Sequence, residues 1–182
     1  MSSNYKARNN QIPHFLTFTI VGWIDIFTRN LYKDLFVQSL QYCTENKGLY
    51  LHAWVVMSNH VHLIVSTQEN SIPDFVRDIK KYSCKAIIDA IQNNNKESRK
   101  DWMLKMFEYA GKTNNDNKYF QLWKQGYHPI ELSTLRRKTL CLNYLHNNPV
   151  KAGLVWEPWQ YKYGSAIDYY TNEKGLLKIE LI

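Results

Sequence analysis

The stretch Met57-Ser58-Asn59-His60-Val61-His62-Leu63-Ile64-Val65 places two histidines two residues apart in an apolar, partly β-branched run. This composition favours a β-strand, in which alternate side chains project from the same face. His60 and His62 are therefore expected to project together, with Val61 turned to the opposite face. Because two neighbouring imidazoles can bind one divalent metal ion, the stretch predicts half of a metal site on a strand.

The histidine pair alone leaves other interpretations open. The two side chains could simply be half-buried polar groups with ordinary hydrogen bonds. A histidine-triad hydrolase would need a third histidine where Ile64 stands, and a metallo-β-lactamase-like site would continue as His-x-His-x-Asp-His, which Ile64 and Val65 do not. A cupin would need a glycine-rich all-β chain, whereas only 7 Gly occur here beside long helical patterns. A partner motif elsewhere in the chain has to decide between these interpretations.

The composition favours a globular protein that binds a polyanion. The 182 residues are 45% hydrophobic, which suits one domain over residues 1–182, with a polar tail at residues 1–12. Lys and Arg outnumber Asp and Glu by 23 to 16, and the net charge of +7 favours nucleic acid as a partner. An aromatic content of 14% suits stacking on unpaired bases.

The cysteines and the N-terminal residues bear on location. Cys43, Cys84 and Cys141 form no CxxC pair, which predicts free thiols in a reducing compartment. The first ten residues lack an apolar signal core, and the apolar run at residues 15–24 is too short to span a bilayer. We therefore expect a soluble, cytoplasmic protein with no membrane partner.

Hydrophobic periodicity predicts an α/β (α+β) fold with a central antiparallel sheet of four or five strands flanked by helices. Ser58-Asn59 is expected to form a two-residue turn in which Asn59 can take a positive φ. The predicted strands cover residues 14–23, 49–57, 60–66 and 119–123, with a further extended piece ending near Leu132. The predicted helices cover residues 31–46, 71–91, 99–109 and 133–147, and polar loops cover residues 93–96 and 111–118.

Two of these helices carry further candidate residues. The helix at 71–91, with Ser71 as its N-cap, gathers basic residues opposite its apolar stripe, as a phosphate-binding face or merely a solvated one. The helix at 133–147, capped by Ser133 or Thr134, is expected to end at Asn147-Asn148-Pro149, because proline disfavours helix at the preceding residue.

The second helix holds the motif Tyr144-Leu145-His146-Asn147-Asn148-Pro149-Val150-Lys151-Ala152-Gly153. Residues four apart share a helix face, so Tyr144 and Asn148 are expected to point the same way. An amide oxygen suits a hard ion such as Mg²⁺ or Mn²⁺. If this helix packs beside the histidine strand, then His60, His62 and Asn148 complete a three-ligand site, and Tyr144 lies one turn away.

The two motifs together resemble those of the single-tyrosine HUH transposases, in which a bulky apolar residue separates the two histidines. The sequence is most similar to the branch of REP-associated tyrosine transposases, relatives of the transposases of small insertion sequences that move as single-stranded DNA. The resemblance covers nearly the whole chain. It rests on the strand-turn-strand block at residues 51–62, on Leu122-Trp123-Lys124-Gln125-Gly126-Tyr127, and on the Tyr-x-x-x-Asn-Pro-Val-Lys-x-Gly pattern that starts at Tyr144.

This resemblance implies an HUH-nuclease (ferredoxin/RRM-like) architecture and a metal-dependent endonuclease and strand transferase. Tyr144 would attack a phosphodiester in single-stranded, hairpin-forming DNA, and rejoining from the 5′-phosphotyrosine intermediate would need no ATP. His60, His62 and Asn148 would hold Mg²⁺ or Mn²⁺; the family also uses Gln where Asn148 stands. Such a protein would associate with the nucleoid as a monomer or a homodimer. The candidate phosphate contacts are Lys80, Lys81, Lys124 and Lys151.

Three alternatives remain beside this interpretation. They are a non-cutting DNA- or RNA-binding module of the same fold, a replication initiator or relaxase, and an unrelated metallohydrolase of small phosphoesters. Tyr82 competes with Tyr144 as the nucleophile but has no ligand at helical spacing. His146 is expected at the surface or on DNA, because it lies on a different helix face from Tyr144. His52 and His128 are given no functional role.

Overall fold

A four-stranded antiparallel sheet lies at the centre of the protein, in the order β2-β3-β1-β4. The computed structural model describes residues 10–68, 71–113 and 119–182. The strands are β1 (His14–Thr19), β2 (Leu49–Val56), β3 (His60–Thr67) and β4 (Ile130–Glu131). The helices are α1 (Asn30–Asn46), α2 (Ile72–Asn93), α3 (Lys100–Lys112), α4 (Leu135–Lys151) and α5 (Ala166–Tyr170). The predicted α/β (α+β) architecture is confirmed, with the strand order of the ferredoxin-like fold.

The register between β1 and β3 decides which side chains accompany the histidines. Thr17 pairs with His62, and Thr19 pairs with His60. Because directly opposite residues of an antiparallel pair share a face, both threonines lie on the histidine face of the sheet. Phe15 lies on this face as well, two residues before Thr17 on the same strand.

Helices cover both faces of the sheet. On the face opposite the histidines, the Trp123 ring contacts Phe18 of β1 and Phe36 of α1, with ring centroids 5.9 and 5.6 Å apart. On the histidine face, α4 packs against β2 and β3 and buries Leu145 completely. This packing brings the Tyr144 helix over the histidine strand. None of the helices in the described ranges combines the length and the apolar character needed to cross a membrane.

Other segments bond the backbone of β2 and of β1. Along β2, the Val56 N–H donates to the Tyr163 carbonyl at 2.9 Å, and the Glu180 N–H donates to the Leu51 carbonyl at 2.8 Å. On the other edge, β4 pairs with the start of β1, and the Lys124 N–H donates to the Thr19 carbonyl at 2.7 Å. The strand predicted at 119–123 is wrong, because this segment adds only an isolated bridge between Trp123 and Ile20.

The first strand is shorter than predicted. It ends at Thr19, and Val21–Trp23 forms a 3₁₀ turn in which Gly22 and Trp23 have φ of 63° and 57°. Two consecutive left-handed residues cannot continue an extended strand. The possible positive φ at Asn59 is not used: among the described residues, the non-glycine positions with positive φ are Trp23 and His128.

The predicted end of the Tyr144 helix is also wrong. Helix α4 runs through Asn148 and Pro149 to Lys151. Pro149 is buried, so packing of its ring offsets the backbone hydrogen bond that proline cannot donate. The helix ends where Gly153, with φ 68°, supplies the left-handed residue that commonly follows a helix.

Most of the other predicted boundaries agree with the structure within a few residues. Ser71 caps α2 by accepting from the Asp74 N–H at 3.2 Å, and Thr134 caps α4 by accepting from the Arg137 N–H at 3.3 Å. The backbone carbonyl of Asn10, in the predicted polar tail, accepts the Thr67 N–H at 2.8 Å, so this end of the tail is bonded to the last residue of β3. Residues 1–9 of that tail and residues 114–118 of the predicted loop lie outside the described residues.

A buried carboxylate joins α1 to the start of α3. The Glu97 carboxylate accepts hydrogen bonds from Arg29 at 2.5 Å, from Arg99 at 3.1 Å and from the Tyr32 hydroxyl at 3.2 Å. The Glu97 side chain is fully buried. Burial alone would raise the pKa of Glu97, but hydrogen bonds from Arg99 and Arg29 lower it to about 2. The charged form of Glu97 is therefore the stabilising one.

Replacing Glu97 with glutamine is expected to lower the free energy of unfolding by about 2 kcal/mol, because the variant loses charge-assisted hydrogen bonds in a buried site. Since the folded pKa lies below the unfolded value, this stabilisation is present above pH ~4.5 and is lost as the pH falls toward 2. Urea denaturation at pH 7 and pH 3 measures both effects. The control Glu108→Gln, which breaks an exposed pair with Lys112, should change stability by less than about 0.5 kcal/mol.

Candidate active site

The two histidines of β3 form the centre of the site. Their rings project from the same face of the sheet, with centroids 4.8 Å apart. Side chains alternate along a strand, and β3 is bonded to a strand on each side, so both rings must point to this face. Two imidazoles at this spacing are available to one ligand or ion.

His62 is buried and held from two sides. Its Nδ1 lies 2.9 Å from the Thr17 hydroxyl, and its ring stacks on Phe15 with centroids 5.0 Å apart. Its Nε2 is buried and has no hydrogen-bond partner. Burial, followed by the nearby charge of His60, lowers the pKa of His62 to about 3. The imidazole is therefore neutral near pH 7, which is the form that binds metals.

The Asn59 side chain fixes the tautomer of His60. The Asn59 Nδ2 donates to the Trp23 carbonyl at 3.3 Å, and a carbonyl can only accept. The Asn59 Oδ1 therefore faces the His60 Nδ1, 2.7 Å away, and that nitrogen must carry the proton. The His60 Nε2 is left with its lone pair. Burial lowers the pKa of His60, and a hydrogen bond with Asn148 opposes this shift.

Helix α4 brings Tyr144 and Asn148 to the histidines. The Tyr144 ring lies 5.3 Å from the His62 ring and 6.0 Å from Phe15, between centroids, and the side chain is 47% exposed. The Lys151 ammonium lies 5.5 Å from the centroid of the Tyr144 ring. The Asn148 amide nitrogen donates to the Tyr144 carbonyl at 3.1 Å, and the Asn148 side chain is also hydrogen-bonded to His60.

These residues fit a divalent metal. The Nε2 of His62 is buried without a hydrogen-bond partner, and such an atom normally has one. In the part of the chain that the structure describes, no three His, Cys, Asp or Glu side chains are grouped to hold a metal. A third ligand from these residues would have to be of another type, and the Asn148 side chain lies next to His60. Imidazole together with amide oxygen suits Mn²⁺ or Mg²⁺.

The four candidate phosphate-binding lysines lie in different surroundings. Lys151 lies against Tyr144, and Lys81 is exposed beside a groove of about 850 Å³ between α2 and residues 119–127. The Lys80 ammonium donates to the carbonyls of Lys124 at 2.8 Å and Gly126 at 2.5 Å. A phosphate contact at Lys80 would have to replace these carbonyls. Lys124 lies over the Trp23 ring, 4.3 Å from its centroid.

The competing residues lie elsewhere. Tyr82 is half exposed on α2 and contacts Tyr42 of α1, with ring centroids 6.5 Å apart. The prediction that His146 lies at the surface is wrong: it is buried, and its Nε2 lies 3.0 Å from the Ser165 hydroxyl. His52 is likewise buried, between Ser66 and the Glu180 carbonyl.

Three neighbours of the site went unrecognised in the sequence. Thr17 and Phe15 contact His62 only because of the register of β1, which no local pattern reveals. Asn59 stands in the histidine stretch, but its sequence position indicated a turn and not a hydrogen bond to His60. The β-branched, aromatic character of residues 14–19 predicted the strand without predicting which residues face the site.

Comparison with known proteins identifies the family. A family model described as "Transposase IS200 like" matches residues 22–118, more than half of the chain, and the chain belongs to this family of transposases. The match includes His60 and His62 but ends before α4, so Tyr144 and Asn148 lie outside it. No curated protein matches the chain.

A solved structure shows the same fold. A REP-associated tyrosine transposase bound to a REP hairpin superposes with a TM-score of 0.67 at 15% identity, covering 92% of this chain and 84% of that one. A protein described as a transposase from Deinococcus radiodurans R1 is 22% identical over 81% of this chain and 95% of its own, with a TM-score of 0.47. The second value is too low to establish a shared fold. The first confirms the architecture around the site.

Proposed function

We propose that this transposase is a metal-dependent single-stranded DNA endonuclease and strand transferase with Tyr144 as its nucleophile. The observation that carries the proposal is the 5.3 Å separation between the Tyr144 and His62 rings within one chain. Family membership supports a transposase over a replication initiator, a relaxase or an unrelated metallohydrolase. In this proposal the nucleophile and the three metal ligands come from one chain, so the chemistry needs no second copy.

In the proposed reaction, the Tyr144 hydroxyl oxygen attacks the phosphorus of a phosphodiester. A bond forms between this oxygen and phosphorus, and the bond from phosphorus to the 3′ oxygen breaks. The phenol proton is balanced by the proton that the departing 3′ oxygen takes up, through solvent. The products are a 5′-phosphotyrosine link and a free 3′-OH. A second 3′-OH reverses the step, and no ATP is needed because the link retains the energy of the cleaved bond.

His60, His62 and Asn148 would hold a Mg²⁺ or Mn²⁺ ion. When bound, such an ion withdraws charge from the phosphate and orients it. The Lys151 ammonium, next to the Tyr144 ring, is placed to pair with a phosphate oxygen or with the phenolate as it forms. The Phe15 side chain contacts the rings of both His62 and Tyr144 from the sheet, and these contacts limit the movement of the two rings.

Thr17 and Asn59 act as positioning residues for the two imidazoles. With the proton of His62 on Nδ1 and donated to the Thr17 hydroxyl, the Nε2 of each histidine keeps its lone pair for the ion. Partners of this kind normally fix ring orientation and tautomer in metal sites.

Replacing Thr17 with valine, or Asn59 with alanine, is expected to weaken Mn²⁺ binding about 10- to 100-fold, because each variant releases one imidazole from its hydrogen-bond partner. Isothermal titration with Mn²⁺ measures the affinity. Thr19→Val, on the same face but opposite His60 in the register, is the matched control and should bind nearly as well as the wild type. Equal affinity in all variants would contradict the positioning of the rings.

The DNA substrate is proposed to be single-stranded and hairpin-forming. The structural neighbour was solved bound to a REP hairpin, and the net charge of +7 suits a polyanion. Such a protein would act at the nucleoid.

A covalent-adduct assay tests the reaction. The wild-type protein is incubated with an end-labelled DNA hairpin that carries single-stranded tails, with Mn²⁺, Mg²⁺ or EDTA, and is then resolved on a denaturing gel. A labelled protein band that needs the metal is expected. Binding of the hairpin without any adduct would identify a non-cutting module, and turnover of small phosphoesters without an adduct would exclude the tyrosine reaction.

A further inference from the structure

Trp23 presents an exposed indole beside the histidine hairpin. The side chain is 58% exposed, and its backbone has a φ of 57°, directly after Gly22 with a φ of 63°. The left-handed region is disfavoured for any residue that carries a Cβ, and glycine would adopt it without strain. Backbone preference therefore does not account for a tryptophan here. Strained residues of this kind concentrate at functional sites, where the surrounding structure holds them in place.

Two hydrogen bonds through Asn59 connect the Trp23 backbone to the candidate metal ligand His60. The Trp23 carbonyl accepts from the Asn59 Nδ2 at 3.3 Å, and the Asn59 Oδ1 accepts from the His60 Nδ1 at 2.7 Å. The same segment is held against the hairpin turn by the Ile20 N–H, which donates to the Asn59 carbonyl at 2.9 Å. The left-handed backbone at Trp23 therefore places the carbonyl that orients Asn59, while the indole stays exposed.

A cation accompanies this indole. The Lys124 ammonium lies 4.3 Å from the centroid of the Trp23 ring, and the Lys124 N–H donates to the Thr19 carbonyl at 2.7 Å. An aromatic ring and a positive charge therefore lie next to each other. Single-strand-binding sites combine these two features: bases stack on aromatic rings, and cations follow the backbone.

We propose that Trp23 stacks on one unpaired nucleobase close to the phosphate that is cleaved, while Lys124 pairs with an adjacent phosphate. The identity of the ligand as single-stranded DNA rests on the proposed function. Because every base offers an aromatic face, this contact positions the strand without selecting one base strongly. It gives the site a second point of attachment, so that the strand cannot pivot about the phosphate at the histidines.

The test uses a DNA hairpin with a short single-stranded tail on each side, in which 2-aminopurine replaces one tail base at a time. The full-length Tyr144→Phe protein keeps the DNA uncut. At one tail position, binding of the Tyr144→Phe protein is expected to quench the 2-aminopurine fluorescence. In the double variant that also carries Trp23→Ala, this quenching should be lost. Affinity for the hairpin should fall about 5- to 150-fold in Trp23→Ala, and Trp23→Phe should retain most of it. The matched control is Trp156→Ala, because Trp156 is 90% exposed.

A stability measurement separates this function from a structural role. Trp23→Gly relieves the left-handed strain and loses the indole. Its melting temperature is expected to equal or exceed that of the wild type, while its affinity for the hairpin falls as far as that of Trp23→Ala. If Trp23→Gly melts lower and binds normally, Trp23 is structural and the proposal is wrong. Equal affinity and equal quenching in Trp23→Ala and Trp156→Ala would also overturn it.

The proposal and the reaction can fail separately. A wild-type protein that forms the covalent adduct while Trp23→Ala binds DNA normally would overturn only the stacking site. Position-specific quenching that depends on Trp23, without any adduct from the wild type, would overturn only the proposed reaction.

Discussion

Replacing Tyr144 with phenylalanine is expected to abolish the covalent protein–DNA adduct and to slow strand cleavage by at least about a thousandfold, as enzymes lose that much or more without their nucleophile. The change removes only the hydroxyl group. The ring contacts with His62 and Phe15 remain, so the fold and the DNA-binding surface should be unaffected. The measurement is the amount of labelled DNA that migrates with the protein on a denaturing gel, followed over time with Mn²⁺ present.

Tyr82→Phe is the matched control for this experiment. Tyr82 is 52% exposed, close to the exposure of Tyr144, but it lies on α2 and contacts Tyr42 and not the histidines. This variant should form the adduct at the wild-type rate. An adduct that persists in Tyr144→Phe and disappears in Tyr82→Phe would show that the nucleophile has been assigned to the wrong helix.

Replacing His62 with leucine is expected to weaken Mn²⁺ binding by at least about 100-fold, because removing a ligand should exceed the 10- to 100-fold loss seen when only a supporting partner is removed. Isothermal titration gives the affinity, and the rise in melting temperature with added Mn²⁺ gives a second reading. His128→Leu, a change at an exposed histidine, should leave both unchanged. Manganese affinity that survives in His62→Leu would place the metal elsewhere.

The same variant tests whether His62 is kept for function at the expense of stability. Its buried Nε2 has no hydrogen-bond partner, and an unsatisfied buried polar atom costs on the order of 1–3 kcal/mol. Leucine removes that atom, although the Thr17 hydroxyl loses its own partner. Without metal, the variant should therefore unfold within about 1 kcal/mol of the wild type in urea. A much larger loss would show that His62 is mainly a structural residue.

Local sequence patterns were sufficient to predict those parts of the fold that depend on neighbouring residues alone. Alternation predicted β2, β3 and the shared face of His60 and His62, and capping residues predicted the starts of α2 and α4. The pairing of Tyr144 with the histidines followed from two motifs and a resemblance. The sequence could not supply the contact itself, because the contact depends on how α4 packs across β2 and β3.

The errors share a physical origin, since tertiary contacts override local preference in each case. Proline at position 149 disfavours helix locally, yet its burial keeps it within α4. His146 looked polar and accessible, but the fold buries it beside Ser165. Residues 14–23 have uniform strand composition, and the left-handed turn at Gly22 and Trp23 is visible only in the backbone. The contact of Thr17 with His62 required the strand register, which spans 45 residues of sequence.

The bonding along β2 and β1 has a consequence for how the molecule behaves at high concentration. Open strand edges are templates on which copies of a chain add to one another and form fibrils. Here the β2 edge is bonded by residues 163–165 and 180, and the β1 edge by β4 and residues 122–124. We therefore expect concentrated solutions to resist conversion to amyloid for as long as these covering segments stay docked. Thioflavin T fluorescence should rise only under conditions that first release them.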